Sequence, residues 1–311
     1  MSAVDTSVSS SRGPASPADH FPPALGHPAR GRELKDLLAR VVMWAAFLVA
    51  LVPLAWILWS VFSQGYHLLL QAQWWTNSQK GITARHVGGG AVHAIQGTLI
   101  EGFVTALISV PIGVMTAIYL VEYGRASRFA RAVSFMVDIL TGIPSIIAGL
   151  FIYAVWVTTF HFQRVGFAVC LSLVLLMIPV VVRSTEEMLK LVPNELREAA
   201  YALGVPKWKT IMRVVLPTAF SGIITGVLLG LARVMGETAP LLILGPYTKS
   251  IATDLFGGLI PTLPTMINQD RTESLQPAVD RVWAAALTLI LLVLLLNLAG
   301  RLIARFGSVK K

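Results

Sequence analysis

Six long apolar segments are the strongest constraint on how this chain of 311 residues can fold. A helix of about 20 apolar residues crosses the roughly 30 Å hydrocarbon core of a bilayer. A segment in lipid must satisfy its backbone hydrogen bonds internally, and a helix does so within itself. The sequence therefore predicts an all-α integral membrane protein with six transmembrane helices. The predicted spans are 41–62, 95–120, 132–156, 165–183, 218–244 and 282–304.

The composition favours a membrane protein over a soluble domain. Charged residues make up 13% of the chain and hydrophobic residues 55%, whereas soluble domains typically carry about 25% charged residues. A net charge of +9 in a soluble protein would suggest nucleic-acid binding. Membrane proteins instead collect Lys and Arg on their cytoplasmic loops, so we expect no nucleic-acid partner.

The distribution of Lys and Arg predicts the orientation of the spans. With the N-terminus inside, 17 of the 25 Lys and Arg residues fall on the cytoplasmic side and six on the outside. The excess of positive charge on cytoplasmic loops then places both termini in the cytoplasm.

The two ends of the chain differ from its apolar part. Residues 1–30 are rich in Ser, Pro, Ala and Gly, which predicts a disordered cytoplasmic tail. A basic juxtamembrane segment follows at 31–40, then a transmembrane domain at 41–306 and a cytoplasmic C-terminus at 307–311. No apolar stretch lies near the first residue, so we expect no cleaved signal peptide.

The loop between the fourth and fifth spans, residues 184–217, is amphipathic rather than simply polar. Pro193 and Asn194 are typical of a helix start, with Asn194 as the N-cap, and Gly204 is typical of a helix end. Leu196, Ala199, Ala200 and Leu203 recur at helical spacing and predict one apolar stripe. This short helix either docks on a partner protein or lies on the lipid surface.

Arg233 and Glu237 place two charges inside the fifth apolar span. A charge at the bilayer centre costs roughly 2.5–3.5 kcal/mol on insertion scales, so such residues face a cavity or the bundle interior. Their i, i+4 spacing puts them on one helix face. One interpretation is a pair that neutralises itself and joins helices. The other is an anion path, because a guanidinium fork suits a tetrahedral oxyanion.

Glu237 would favour one oxyanion over another. An ionised carboxylate only accepts hydrogen bonds, so it can accept from protonated phosphate but repels sulfate. In the third span, Thr141 and Ser145 also lie at i, i+4 spacing. Their hydroxyls either line the same polar path or bond within the helix bundle.

The loop sequence EAAYALGVPKWKTIMRVVLP resembles the EAA loop of ABC-importer permeases, with Val214 where Ile is usual. The resemblance implies that the loop helix is a coupling helix seated on an ATPase subunit. The matching positions are Glu198, Ala199, Ala200, Gly204, Leu216 and Pro217.

ARVMGETAPL, at 232–241, resembles a signature of phosphate-importer permeases, and TGIPSIIAGLF, at 141–151, resembles a second one. Over about residues 40–305 the chain resembles the A-type permeases of Pst phosphate ABC importers. The resemblance implies an ABC type I importer permease fold in the bacterial cytoplasmic membrane. It also implies a phosphate path that includes Thr238 of the first signature.

The resemblance further implies a set of partners: a C-type permease, two ATPase subunits and an external phosphate-binding protein. A phosphate-binding loop for ATP needs a Gly-Lys pair, and this sequence contains none. We therefore expect a transport subunit rather than an enzyme, with ATP and Mg²⁺ bound by the partner ATPase and no cofactor on this chain. His86 and His93 flank VGGGAV, and we expect them to be solvated loop residues rather than metal ligands.

Two alternative functions stay open from the sequence. The nearer is a permease for another oxyanion, molybdate or sulfate. The other is an ATP-independent secondary transporter or channel, which would lack an ATPase-docking loop.

Overall fold

The computed structural model describes residues 30–124, 127–245 and 247–307. The predicted tail at 1–30 lies outside these residues except for Arg30, and so does most of the predicted C-terminus at 307–311. Residues 1–58 and 59–311 form two separate units. All regular structure in the described ranges is helical, which confirms the all-α prediction.

Twelve helices are described along the chain. In chain order they are α1 (Arg30–Leu69), α2 (Ala72–Thr76), α3 (Val92–Ile118), α4 (Arg128–Gly142), α5 (Ser145–Ile152), α6 (Gly166–Lys190), α7 (Asn194–Ala202), α8 (Lys207–Thr210), α9 (Leu216–Met235), α10 (Ala239–Leu244), α11 (Leu263–Asp270) and α12 (Gln276–Gly307). Three π-helical turns extend this set: Tyr119–Tyr123 after α3, Tyr153–Thr159 after α5, and Ile211–Val215 between α8 and α9.

Five helical stretches in the described residues are long and apolar enough to span a bilayer: α1, α3, α6, α8 with α9, and α12. The sixth candidate is the pair α4 and α5, which is bent by 106°. The bend falls at Ile143 and Pro144, because a residue before proline is driven out of the helical conformation. The third predicted span at 132–156 is therefore a broken one.

The fifth predicted span at 218–244 is also interrupted. α9 ends at Met235, residues 236–238 form a turn, and α10 begins at Ala239 with Pro240 in its first turn. Proline is tolerated there because the first amides of a helix have no partner within it. The i, i+4 argument for a continuous helix through Glu237 is thus incorrect, although the turn still keeps Glu237 near Arg233.

Helices extend into both ends of the predicted loop 184–217. α6 continues to Lys190, and helix resumes at Lys207, so only 191–206 with α7 lies between these two helices. A helix can continue beyond the apolar run that marks a span, so the predicted loop boundaries stay a prediction. α7 begins at Asn194 with Pro193 before it, so Asn194 is the first helical residue and not the N-cap.

α6 is the central helix of the 59–311 unit. Two of the core clusters include it, one with α9 and α10 and one with the end of α3 and the turn Ile211–Val215. Cys170 is fully buried on α6. A third cluster joins Trp74, α11 and α12.

A buried polar network crosses the start of α3. His93 Nε2 lies 2.8 Å from the Tyr247 hydroxyl, which donates to Gln79 Oε1 at 2.7 Å. Gln79 and Arg281 both donate to Asp270 Oδ2, at 3.0 and 3.1 Å. Burial, and secondarily the Asp270 charge, raises the pKa of Tyr247. His93 is only 1% exposed, so the expectation of a solvated loop histidine is wrong.

Close backbone contact at Gly97 provides a test of this packing. A Cβ atom at Gly97 would lie 1.8 Å from the Pro261 carbonyl oxygen, whereas nothing lies within 4 Å of a Cβ at Gly142. We expect Gly97→Ala to destabilise the protein by about 1–3 kcal/mol, since the obstacle is backbone. Gly142→Ala, the matched control, should change stability by about 0.5 kcal/mol or less.

Thermal unfolding in detergent measures both variants. Equal unfolding temperatures for the two alanine variants would contradict the close approach of Pro261 to α3.

Candidate functional site

Arg233 and Glu237 lie together where α9 ends. Arg233 is in the last turn of α9, where the helix dipole favours a cation. Its Nε atom lies 3.7 Å from Glu237 Oε1, which is an ion pair but longer than a normal hydrogen bond. Among the described residues, Glu237 is the only ion-pair partner of Arg233. The guanidinium therefore has donors left for another group.

Neighbouring residues orient Arg233 toward the open side of α9. Val234 and Met235 are buried, and a Cβ atom at Gly102 on α3 would lie 3.2 Å from Met235. The Arg233 side chain is 52% exposed and that of Glu237 16%. Because an arginine at membrane depth avoids lipid, its open side must face water or another protein chain.

The two interrupted spans meet each other. A Cβ atom at Gly149 on α5 would lie 2.9 Å from Pro240 Cα on α10. The structure thereby brings together the segments 141–151 and 232–241, which are remote in sequence. A small internal cavity beside them, lined by residues such as Glu101, Val234 and Leu241, has room for about one water molecule.

The three predicted hydroxyl residues take separate positions. Thr141, near the end of α4, donates to the Val137 carbonyl at 2.8 Å. Ser145 opens α5 beyond the bend, so the i, i+4 spacing does not put Thr141 and Ser145 on one helix face. Thr238 precedes α10, and its carbonyl accepts from the Leu242 amide at 3.1 Å. Their roles in a path stay predictions.

The outer face of α7 is open. Glu198 and Ala199 are exposed and Ala200 is buried. Leu203 is 83% exposed, so the predicted stripe is only partly covered within this chain.

Gly204 ends α7 with a positive φ of 73°. Its amide donates to the Tyr201 carbonyl at 2.9 Å, and the Val205 amide donates to the Ala200 carbonyl at 3.1 Å. This pair of bonds is the Schellman arrangement for which glycine is favoured. Leu216 and Pro217 lie at the start of α9, on the helix that continues from α8.

Two further ionisable residues occupy spanning helices. Arg183 on α6 donates to Glu186 at 2.5 Å and to the Ser134 carbonyl at 3.0 Å, and it also pairs with Asp138. It thus ties α6 to α4. Glu101 on α3 is only 3% exposed. In the described part of the chain, no Lys or Arg forms an ion pair with Glu101.

A family profile described as "binding-protein-dependent transport system inner membrane component" matches residues 109–306. The phosphate transport system permease protein PstA 1 of Mycobacterium tuberculosis is 50% identical over 280 residues, covering 90% of this chain and 91% of the relative. PstA of Mycobacterium leprae is 52% identical, with 86% and 88% covered. PstA of Yersinia pestis is 41% identical, with 88% and 90% covered.

The chain belongs to the PstA permease family. It is a multi-pass membrane protein and a permease subunit rather than an enzyme. Solved ABC importer permeases share the fold of this PstA permease. A bacterial transporter involved in the import of alginate matches with a TM-score of 0.57 and 15% identity, covering 88% of this chain and 98% of that one. The inward-facing methionine transporter MetNI matches with a TM-score of 0.55 and 21% identity, covering 70% and 94%.

Sequence reasoning on this permease missed Glu101, and it took Arg183 for an interfacial anchor without predicting its contacts. Glu101 stands in the apolar run TLIEGF within the second predicted span, so the signal that singled out Arg233 was present there too. Arg183 stands at the end of the fourth predicted span and reads as an ordinary boundary residue. Its bonds to Asp138 and Ser134 depend on how α4 packs against α6, which sequence spacing does not reveal.

The lack of a cationic partner predicts how Glu101 tolerates substitution. A buried carboxyl without a counter-charge is expected to hold its proton, because burying an unpaired ion is very unfavourable. Glu101→Gln keeps the shape of the side chain, so it should change stability by no more than about 1.5 kcal/mol, the net contribution of a hydrogen bond. Glu101→Lys, which buries an unpaired cation, should unfold at a clearly lower temperature. Thermal unfolding in detergent compares them, and equal losses in both variants would indicate an ionised, paired Glu101.

Proposed function

We propose that this PstA permease forms part of the path by which an ATP-driven importer moves inorganic phosphate across the bacterial cytoplasmic membrane. The observation that carries the proposal is the Arg233 and Glu237 pair at the break in span five. It occurs in a chain 50% identical to a phosphate transport system permease. Arg233 has hydrogen-bond donors left for another group, and the Glu237 carboxylate can only accept hydrogen bonds. This combination suits a protonated phosphate, which both accepts and donates hydrogen bonds.

In the proposed path, Arg233 attracts the anion and Glu237 holds Arg233. Glu237 also accepts a hydrogen bond from phosphate and repels sulfate, which has no proton to donate. Thr238 lies in the same turn and offers a hydroxyl beside them. Thr141 and Ser145 belong to the segment that packs near α10. In this proposal their hydroxyls line the phosphate path next to the Arg233–Glu237 pair.

A second permease subunit completes the proposed path. The half-exposed Arg233 side chain supports this, because its open side would otherwise face lipid. We assign that subunit to the C-type permease of the same importer. Two ATPase subunits that bind ATP and Mg²⁺, and an external phosphate-binding protein, complete the assembly. This chain itself needs no cofactor in the scheme.

The exposed face of α7 is the proposed ATPase contact. Glu198 and Ala199 would seat in a groove of the ATPase, with the buried Ala200 on the inner side of the helix and Gly204 fixing where the helix ends. Leu216 and Pro217 begin α9, the helix that leads to Arg233. Movement of α7 during ATP hydrolysis would thereby re-aim the spans and open the path alternately to each side.

The proposed orientation follows from charge. Both termini, the tail at 1–30, the basic segment at 31–40, α7 and residues 307–311 lie in the cytoplasm, and 41–306 form the transmembrane domain. The excess of Lys and Arg on that side supports the assignment.

Phosphate uptake into proteoliposomes that hold the assembled importer tests the role of Arg233. We expect Arg233→Ala to reduce ATP-dependent uptake at least about tenfold, because losing a charged hydrogen-bond donor costs about 1.5–3 kcal/mol. Arg271→Ala, which removes an exposed arginine far along the chain from the pair, is the matched control and should transport normally. Uptake that survives in assembled Arg233→Ala would return Arg233 to a packing role.

The same assay separates the other functions. Uptake by the unaltered importer that ignores ATP would indicate a channel or secondary carrier. Strong competition by sulfate or molybdate would indicate a permease for another oxyanion.

Glu198→Lys tests the proposed ATPase contact. Reversing an exposed charge at a docking face should weaken binding of the ATPase and lower ATP-dependent uptake by about fivefold or more. Glu273→Lys, an exposed glutamate between α11 and α12, is the control and should leave both unchanged. Co-purification of the ATPase and phosphate uptake are the two measurements. Normal values for both in Glu198→Lys would contradict docking through this face.

A further inference from the structure

A buried ion pair holds the inner face of α7. Arg197 Nη2 lies 2.8 Å from Glu122 Oε1, and Arg197 Nε lies 3.1 Å from the same oxygen. The two side chains are only 7% and 3% exposed. Glu122 belongs to the π-helical turn Tyr119–Tyr123, which continues α3. The pair therefore joins α7 to the end of the second span.

The remaining donors of Arg197 reach the end of α6. Nη1 donates to the Val192 carbonyl at 2.7 Å, and Nη2 donates to the Leu189 carbonyl at 2.9 Å. A planar guanidinium with several fixed donors can hold several acceptors at once, which a lysine cannot do. One side chain thus links α7, the α3 extension and the α6 terminus.

Lys207, the first residue of α8, contacts the same π-helical turn. Its ammonium donates to the Glu122 carbonyl, and it lies 4.7 Å from the centre of the Tyr123 ring. The turn is closed by the Gly124 amide, which donates to the Tyr119 carbonyl at 2.7 Å. The end of α3 is therefore held at two places, by Arg197 on α7 and by Lys207 at the start of α8.

α7 has a buried side and an exposed side. Arg197 is buried against Glu122, whereas Glu198 and Ala199 are exposed on the proposed docking face. Both sides belong to one short helix, so a displacement of the exposed side would move Arg197 as well. Gly102, also on α3, packs against Met235 beside the Arg233 turn. α3 therefore contacts both the Arg197 site and that turn.

A buried ion pair adds little to the stability of a fold. Well-packed apolar residues at the same positions often stabilise a protein equally well, because the two charges must lose their hydration before they can pair. Such a pair does specify one relative position of its two elements, since either charge without the other is strongly unfavourable. The contacts of Arg197 with three elements therefore favour a role in positioning those elements relative to one another.

We propose that the Arg197–Glu122 pair is the link that transmits movement of α7 to α3, so that both are positioning residues for coupling ATP hydrolysis to phosphate transport. The proposal rests on the proposed importer function. It differs from docking, because the ATPase would bind the opposite face of α7.

The complete importer in proteoliposomes tests the link through the ratio of ATP hydrolysed to phosphate taken up. We expect Glu122→Gln to raise this ratio at least about fivefold while the ATPase still co-purifies. Arg197→Glu and Glu122→Arg should do the same. Arg271→Glu, an equal charge change at an exposed site, should leave the ratio unchanged.

Each outcome is informative about the link. A Glu122→Gln importer with an unchanged ratio, even with less protein assembled, would overturn the proposal, since lost structure lowers hydrolysis and uptake together. Where the charge reversals do not assemble, Glu122→Gln and Arg197→Lys supply the same ratio. Failure of the importer function is recognised separately, because the unaltered complex would then show no ATP-dependent phosphate uptake.

Discussion

The energy needed to take a charge out of water decides where the ionisable side chains of this permease can lie. Arg197 with Glu122, and Arg281 with Asp270, are buried as close pairs. Arg233 is different, because its side chain is half-exposed on an apolar helix and its partner is 3.7 Å away. A buried pair fixes two elements relative to each other, whereas a loosely paired arginine keeps donors for an incoming anion. The cost of burying a charge therefore distinguishes the two buried pairs, which fix the structure, from Arg233, which is a candidate for binding the transported anion.

Interruptions in two spans create the proposed path. A continuous apolar helix satisfies its own backbone and offers an anion little to bind. The turns at 143–144 and 236–238 break that pattern, and α5 and α10 pack together through Gly149 and Pro240. Irregular backbone at membrane depth is tolerated only where protein or water covers it. Its occurrence in both signature segments is consistent with a covered path shared with a second subunit.

The proposed coupling in this permease would use short-range contacts rather than long loops. α7 is nine residues long and lies between two spanning helices. Its exposed side carries Glu198, and its buried side carries Arg197. The exposed side of α7 and α3 thus lie on the two sides of this one helix. Gly102 on α3 in turn packs against Met235, beside the turn that follows Arg233. The fold places the proposed ATPase contact and the proposed path on the same continuous set of packed helices.

The sequence by itself determined the class of fold, the number of candidate spans, the helix that Gly204 ends and the residues of the EAA and GETAPL signatures. Periodicity, length and motif spacing are local properties, so they are readable along the chain. Only the tertiary structure decided that span three bends by as much as 106° at Pro144, that His93 is buried, that Arg183 bonds to α4 and that Arg197 meets Glu122. The partners in these contacts are up to 154 residues apart, and which surfaces meet depends on how helices pack against α6. Packing is a property of the whole helix bundle, and the sequence pattern of one segment does not contain it.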